Sequence, residues 1–325
     1  MLDQCQCGSR TGPGMAMVVP CILLATAVLA MGAAPKNNVM FVLTDDQDIV
    51  LGSMDPEGPM QKTRKLVVEQ GAWFANGFAT TPICCPSRAE ITSGRYMHNT
   101  EVYGNDCGGM AWVNGPEKLN MATYMKAKGY TTYYAGKYLN NYGSPKVGGC
   151  MHVPPGWDQW YGLVGNSKYY NYEVCTGNNV TETHGRDYAK DYFTDRIANR
   201  TLDFLANVTS HGSPFFAMMG TPASHGPNDP APQYSETYAG RKSPRLPSWN
   251  VAPNPDKHFM MRHILPMDEQ HANVSDVFFQ RRWSVLRSVD DMVARLLGFL
   301  ETQGVLAQTY VIFTGEWLCT VRAVA

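Results

Sequence analysis

Short apolar runs that read as strands alternate with helical segments along this chain of 325 residues. The strand candidates are residues 38–44, 130–135, 214–219 and 310–313, and the helix candidates are residues 60–70, 121–128 and 283–300. Such alternation favours an α/β fold, with a mostly parallel sheet between two layers of helices. Ligands of such sheets bind at the carboxyl ends of the strands. We therefore expect Asp45, Asp46 and His225, which follow two of these runs, to lie in a site.

The charge balance excludes some classes of partner. The formal net charge is −1 and no dominant block of basic residues is present. This argues against nucleic-acid binding and against broad electrostatic capture of a polyanion, although a local cluster could still hold one sulfate or phosphate group.

The N-terminus predicts entry into the secretory pathway. An apolar run at residues 16–30 precedes the small residues Gly32, Ala33 and Ala34, which is typical of a signal peptide over residues 1–34. The alternative is an uncleaved membrane anchor, but we expect no stable one. N-glycosylation sequons begin at Asn179, Asn199, Asn207 and Asn273 and support the same route. One or two disulfides are expected among the later cysteines, with their pairing open.

The most specific motif begins at Cys84. Residues 84–88 read Cys-Cys-Pro-Ser-Arg, and Ser93-Gly94-Arg95 follows shortly after. This pattern resembles the signature of the sulfatases. The resemblance implies that Cys84 is oxidised by the formylglycine-generating enzyme and that the hydrated formylglycine attacks sulfur. The alternative is a buried pair of cysteines before a turn.

The resemblance also implies the roles of the other site residues. Asp45 and Asp46 would belong to a calcium site together with the modified Cys84. Paired carboxylates suit calcium, although such a pair is otherwise usually a cap or turn. Arg88 would contact both the formylglycine and these carboxylates. Lys137 ends a stretch similar to the second sulfatase signature, G-Y-x-T-x-x-x-G-K, and would bind a sulfate oxygen. His225 would donate a proton to the ester or leaving-group oxygen. Without the resemblance, Lys137 would be a surface charge and His225 a loop residue.

The resemblance covers residues 35–314, a partial catalytic domain with an alkaline-phosphatase-like fold. It points to the lysosomal branch that removes the 6-sulfate of N-acetylglucosamine from heparan or keratan sulfate. The stretch 135–140, Ala-Gly-Lys-Tyr-Leu-Asn, is typical of that branch. A sulfated glycosaminoglycan is therefore the implied substrate, and the lysosome or the cell exterior the implied location.

The chain departs from the family pattern after Phe313-Thr314. Sulfatases continue with Ser-Asp-Asn-Gly, whose Asp and Asn complete the calcium site, whereas this chain reads Gly315-Glu316-Trp317-Leu318. We expect residues 315–325 to be a divergent tail and the fold to be incomplete there. Glu316 could supply one oxygen, but the missing pair predicts loss of activity.

Two other functions compete with sulfate hydrolysis. The first is a non-catalytic, secreted glycan-binding or regulatory isoform, which the missing Asp-Asn pair favours. The second is a phosphatase or phosphodiesterase of the related fold. Those enzymes use Ser or Thr with two metals, so Cys84 argues against this function.

Overall fold

A mixed sheet forms the centre of the compact unit that begins at Asn37. The computed structural model describes residues 36–316 and the backbone of residues 318–322, so the predicted signal peptide lies outside the described residues. The strands are β1 (Asn38–Thr44), β2 (Ala72–Trp73), β3 (Thr131–Lys137), β4 (Gln159–Leu163), β5 (Tyr172–Cys175), β6 (Thr181–His184), β7 (Phe215–Gly220), β8 (Thr309–Gly315) and β9 (Leu318–Arg322). Their order across the sheet is β2-β9-β8-β1-β7-β3-β4-β5-β6.

The central part of the sheet is parallel. β1 pairs in parallel with β7 and β8, and β3 pairs in parallel with β7 and β4. Antiparallel strands flank this centre, β5 and β6 on one side and β9 and β2 on the other. The predicted α/β fold with a mostly parallel sheet is confirmed. The runs that predicted β1 and β7 are apolar almost without interruption, as expected for strands that are covered on both faces.

Helices cover both faces of the sheet. They are α1 (Gln61–Thr63), α2 (Cys84–Ser93), α3 (Met97–Thr100), α4 (Gly109–Asn114), α5 (Met121–Ala127), α6 (Tyr188–Asp191), α7 (Phe193–Ser210) and α8 (Glu269–Thr302). Side chains alternate between faces along a strand. Ala217 and Met219 of β7 pack into the core that contains apolar residues of α7 and α8. Phe216 and Met218 pack into the other core, with residues of α2 and α5.

Two predicted helices differ from the structure. The predicted helix 283–300 belongs to α8, which begins much earlier, at Glu269 after the capping residue Asp268. The early start was missed because exposed apolar residues in this first part blur the single apolar face that the periodicity reveals. The predicted helix 60–70 corresponds to α1 and its continuation, and it differs from the structure in that Arg64–Val68 form a π-helix.

A long irregular segment joins His225 to α8. It runs from Gly226 to Met267, contains the 3-10 turn Pro232–Tyr234, and packs along α8. The backbone amide of Ser243 donates to Asp276 at 2.8 Å, and the Arg241 guanidinium lies 4.3 Å from the Trp283 ring centre. Among the described residues, none of the helices has the length and apolar character needed to cross a membrane.

Candidate active site

The carboxyl ends of four parallel strands meet at one edge of the sheet. Asp45 follows β1, Lys137 ends β3, His225 lies in the loop after β7, and Glu316 follows β8. These strands are adjacent and parallel, so their carboxyl ends share an edge. Residues far apart in sequence are thereby brought together.

Cys84 is the first residue of α2 and lies in this cluster. The preceding residue, Ile83, is extended, and Gly94 ends the helix in the left-handed region at φ 66°. The Cys85 amide donates to Asn105 Oδ1 at 3.1 Å, and a disulfide joins Cys85 to Cys107. Cys84 itself is buried and forms no disulfide with the cysteines that the structure describes. The disulfide and the Asn105 contact therefore hold the start of the helix that presents Cys84.

The unmodified Cys84 thiol is a poor nucleophile at neutral pH. Burial raises its pKa to about 11, and the Asp45 carboxylate adds to the shift, against the opposing effect of Lys137. Since the thiolate is the reactive form of cysteine, the thiol stays protonated and inert near pH 7.

Arg88 lies one helical turn after Cys84 and is buried. Its Nε donates to Glu316 Oε2 at 3.1 Å, and Nη1 donates to the Lys137 carbonyl oxygen at 2.8 Å. Nη2 donates to Asp45 Oδ1 at 3.1 Å. Burial lowers the pKa of Arg88, but Asp45 and Glu316 outweigh it, so the guanidinium stays charged. One arginine thus connects three of the four strand ends.

Asp45 is the buried centre of the cluster. Lys137 Nζ lies 2.6 Å from Asp45 Oδ2, and the Ser167 hydroxyl donates to the same oxygen. Burial raises the pKa of Asp45, but Lys137 and then Arg88 outweigh burial and hold the pKa well below its usual range. Asp45 is therefore ionised and has two cations beside it.

A pair of glycines allows β3 and β7 to approach each other here. Gly136 and Gly220 are register partners, and Gly136 has a φ of +113°. A Cβ on Gly136 would lie 1.9 Å from the Gly220 carbonyl oxygen. A Cβ on Gly220 would lie 2.3 Å from the Lys137 carbonyl oxygen and 3.3 Å from Arg88 Nη1. Glycine at both positions lets the two strands approach, and Gly220 also leaves room for the arginine.

Asp46 lies on the open side of the site. Its backbone is left-handed, at φ 53°, and its Oδ2 lies 3.9 Å from His225 Nε2. His225 Nδ1 lies 2.6 Å from the Gly226 carbonyl oxygen, which can only accept, so Nδ1 carries a proton. Nε2 therefore faces the site. Arg282 of α8 donates to the Asp46 carbonyl oxygen and, at 2.9 Å, to Asp48 Oδ2.

Glu316 completes a group of carboxylate and sulfur side chains that could hold a metal ion. Asp45, Asp46, Cys84 and Glu316 each offer one ligand atom, and these atoms lie within 4.8 Å of one another. Glu316 is 1% exposed, and its Oε1 has no hydrogen-bond partner among the described residues. Burial, and then the Asp45 carboxylate, raise the pKa of Glu316. A buried carboxylate with an unpartnered oxygen fits a cation, and oxygen donors suit calcium.

All six predicted site residues lie in this cluster, and their roles stay predictions. They are Asp45, Asp46, Cys84, Arg88, Lys137 and His225. Sequence reasoning gave no role to Ser167 or Arg282, because nothing local marks a residue that contacts the site only in the folded chain. For Glu316 a signal existed, since it directly follows a strand of the parallel sheet. The four sequon asparagines are all exposed.

Comparison with known proteins agrees with this geometry. A family model described as Sulfatase matches residues 37–316. The chain belongs to the sulfatase family. It is 41% identical over 287 residues to human N-acetylglucosamine-6-sulfatase, covering 86% of this chain and 51% of that protein. It is 40% identical over 285 residues to the extracellular sulfatase SULF-1 homolog of Drosophila melanogaster, covering 86% and 25%. This sulfatase chain thus spans at most about half the length of these curated relatives.

Solved structures show the same fold. One, titled as a complex with D-glucosamine-2-N,6-O-disulfate, aligns with a TM-score of 0.65 at 18% identity and covers 86% of this chain and 65% of its own. The phosphonate monoester hydrolase of Agrobacterium radiobacter aligns with a TM-score of 0.60 at 15% identity, covering 86% and 62%. At these identities the likeness shows the fold alone. The alkaline-phosphatase-like fold expected from the sequence is confirmed.

Proposed function

We propose that this sulfatase hydrolyses the 6-sulfate of N-acetylglucosamine in heparan or keratan sulfate. The observation that carries the proposal is the cluster of Cys84, three carboxylates, Arg88 and Lys137 at the carboxyl edge of the sheet, in which all but Asp46 are buried. The identity to N-acetylglucosamine-6-sulfatase supports the choice of sugar. Proposed with it are passage through the secretory pathway to the lysosome or the cell exterior, and modification of Cys84 by the formylglycine-generating enzyme.

Two groups complete the proposed site. Asp45, Asp46, Glu316 and the modified residue 84 would hold calcium, and the unpartnered Glu316 Oε1 supports that fit. Formylglycine supplies a hydrated aldehyde hydroxyl as nucleophile, and calcium supplies positive charge beside the sulfate oxygens. We assign Glu316 to the place that the family gives to its Asp, in contrast to the half-formed site expected from the sequence.

The chain's own side chains would perform the remaining tasks. Arg88 keeps Asp45 and Glu316 in place and supplies charge beside residue 84. Lys137 has three N–H donors, of which the contact with Asp45 occupies one, so we assign another to a sulfate oxygen. His225 Nε2 faces the site and would hold the proton for the leaving alkoxide.

The test combines a peptide mass with turnover. The chain is expressed in secreting cells, and the mass of the peptide containing Cys84 is measured beside release of sulfate from N-acetylglucosamine-6-sulfate. N-acetylglucosamine-6-phosphate serves as the matched substrate, and Cys84→Ala as the control variant. Formylglycine with calcium-dependent release of sulfate, absent in the variant, is expected. Glycan binding without turnover would instead identify the non-catalytic alternative, and preferential release of phosphate would identify a phosphatase.

A further inference from the structure

The first part of α8 carries an apolar stripe that faces solvent. Val274, Val277 and Phe278 are 49%, 45% and 56% exposed. Their spacing of three and four residues places them on one face of the helix. The core-facing side of the same segment is formed by others, including Phe279 and Trp283. The helix therefore has a second apolar face that the described core does not cover, and such exposed patches commonly mark a contact.

A glycosylation sequon borders this stripe. Asn273-Val274-Ser275 is the sequon, and Asn273 lies one helical turn before Val277, on the same flank. Asn273 is exposed, and its side-chain amide makes no hydrogen bond to another residue in the described part of the chain. By contrast, Oδ1 of Asn199, another sequon residue, accepts a hydrogen bond from Arg295 at 2.7 Å.

An attached glycan can cover the apolar stripe and still contact water. A pyranose ring presents C–H groups on its face and hydroxyls around its edge, so it packs against an aromatic or aliphatic side chain and still turns hydroxyls to water. On α7, the comparable sequon residue Asn207 is exposed too, but its exposed neighbours near one turn away, Asp203, Ser210 and His211, are polar. A glycan there would meet no comparable stripe of exposed apolar side chains on its own helix.

We propose that an N-linked glycan on Asn273 covers the apolar stripe Val274–Val277–Phe278 and keeps this face of the folded chain from self-associating. The inner N-acetylglucosamine rings lie along the helix over Val277 and Phe278. The inference rests on the proposed secretory route but does not depend on sulfatase activity.

The experiment uses the full chain secreted from glycosylating cells. Peptide masses before and after enzymatic removal of glycans report the occupancy of the four sequons. Asn273→Gln removes the proposed cover, and Asn207→Gln is the matched control. Binding of an apolar fluorescent dye and the sedimentation profile report exposure of the stripe and self-association. A third variant adds Val277→Gln and Phe278→Gln to Asn273→Gln, removing the stripe together with its cover.

The expected result is a glycan on Asn273, with increased dye binding and self-association for Asn273→Gln alone. The Asn207→Gln variant and the triple variant should behave like the unchanged protein. A bare Asn273 beside glycans at other sequons would overturn this inference alone. Equal behaviour of the two single variants would overturn it as well. Four bare sequons on the secreted chain would overturn this inference alone, whereas failure of the chain to enter the secretory pathway would overturn both the route and the inference that rests on it. Sulfate release is measured separately.

Discussion

Arg88 shows how one side chain can organise a site drawn from distant parts of the chain. Its three hydrogen bonds reach Asp45, Lys137 and Glu316, and its backbone belongs to the helix that begins at Cys84. Breaking a buried ion pair leaves its partner as an uncompensated charge and costs about 3–5 kcal/mol. Removal of the arginine alone should therefore destabilise the fold as well as the site.

The variant Glu316→Gln should separate two effects of the Glu316 carboxylate: its cost to stability without calcium and its contribution to calcium binding. Without calcium, the variant should be more stable than the unchanged protein, because burial and Asp45 disfavour the ionised form of Glu316. With calcium at 100 times the dissociation constant, the unchanged protein should gain about 2.7 kcal/mol, and the variant clearly less. Thermal unfolding with and without calcium measures both changes. Glu301→Gln, at an exposed position near the end of α8, is the control. Equal calcium stabilisation in both variants would exclude Glu316 as a ligand.

Among the elements, α8 supports the site without supplying a predicted ligand. Arg282 on this helix holds the Asp46 carbonyl oxygen and the Asp48 carboxylate. These contacts fix the left-handed backbone at Asp46 and so aim its side chain. The long irregular segment after His225 returns to the same helix through Asp276 and Trp283.

Arg282→Ala should weaken calcium binding by about 10–100-fold, the usual cost of removing a group that orients a metal ligand. Arg281→Ala is the matched control, because Arg281 is the exposed neighbour on the same helix. Calorimetric titration of calcium into both variants measures the change. A similar loss in the two variants would mean that general charge, rather than the contact with Asp46, sets the affinity.

The Asp276 carboxylate should make the attachment of the irregular segment to α8 depend on pH. Burial raises its pKa, but hydrogen bonds from Ser243, followed by Arg245, outweigh burial and lower the pKa below 3.8. The ionised carboxylate therefore stabilises the fold above pH 3.8, and this contribution is lost as the pH falls through the folded-state pKa. Asp276→Asn should cost about 1.5–3 kcal/mol near pH 7.

Limited proteolysis within residues 243–267 measures this attachment. Cleavage of Asp276→Asn should be faster than cleavage of the unchanged protein at pH 7, and the difference should shrink in acid below pH 3.8. Asp256→Asn, exposed in the same segment, should behave like the unchanged protein. A difference that persists unchanged in strong acid would contradict the assignment to charge.

At the scale of the whole molecule, two disulfides of similar span differ in position. Cys85–Cys107 links residues 22 positions apart and lies beside Cys84. Cys150–Cys175 links residues 25 positions apart and includes the last residue of β5. Replacing either pair by serine should cost about 3 kcal/mol, because the loops are of similar length. Urea unfolding of the two double variants measures this cost.

Only loss of the first pair should expose Cys84. In the chain with an unmodified Cys84, alkylation of the Cys84 thiol should accelerate when Cys85 and Cys107 are replaced. Without the disulfide, the start of α2 is no longer linked to the loop that contains Cys107. Alkylation should stay slow when Cys150 and Cys175 are replaced. Equal rates in the two double variants would show that the disulfide does not protect the site.

The sequence predicted the strands of the sheet more accurately than the start of α8 and the contacts that support the site. Apolar runs such as residues 38–44 and 214–219 predicted β1 and β7 within a residue, since burial on both faces requires apolar side chains in succession. The six predicted site residues follow from strand ends and motifs. Arg282 and Ser167 could not be predicted, because their contacts with Asp46 and Asp45 exist only after distant segments pack. The start of α8 was missed because its first turns are apolar on two faces.

The charges grouped around Cys84 have a consequence for the order in which ligands bind. Asp45, Asp46 and Glu316 face Arg88 and Lys137, and the raised pKa of Glu316 favours its protonated form, so the cluster has no net formal charge before a cation binds. A sulfate monoester has one negative charge, which a neutral cluster does not attract. A bound divalent cation favours the ionised form of Glu316 and gives the cluster one net positive charge. We therefore expect the cation to bind before the substrate. The affinity for the sulfate ester should decrease when the free cation concentration is lowered.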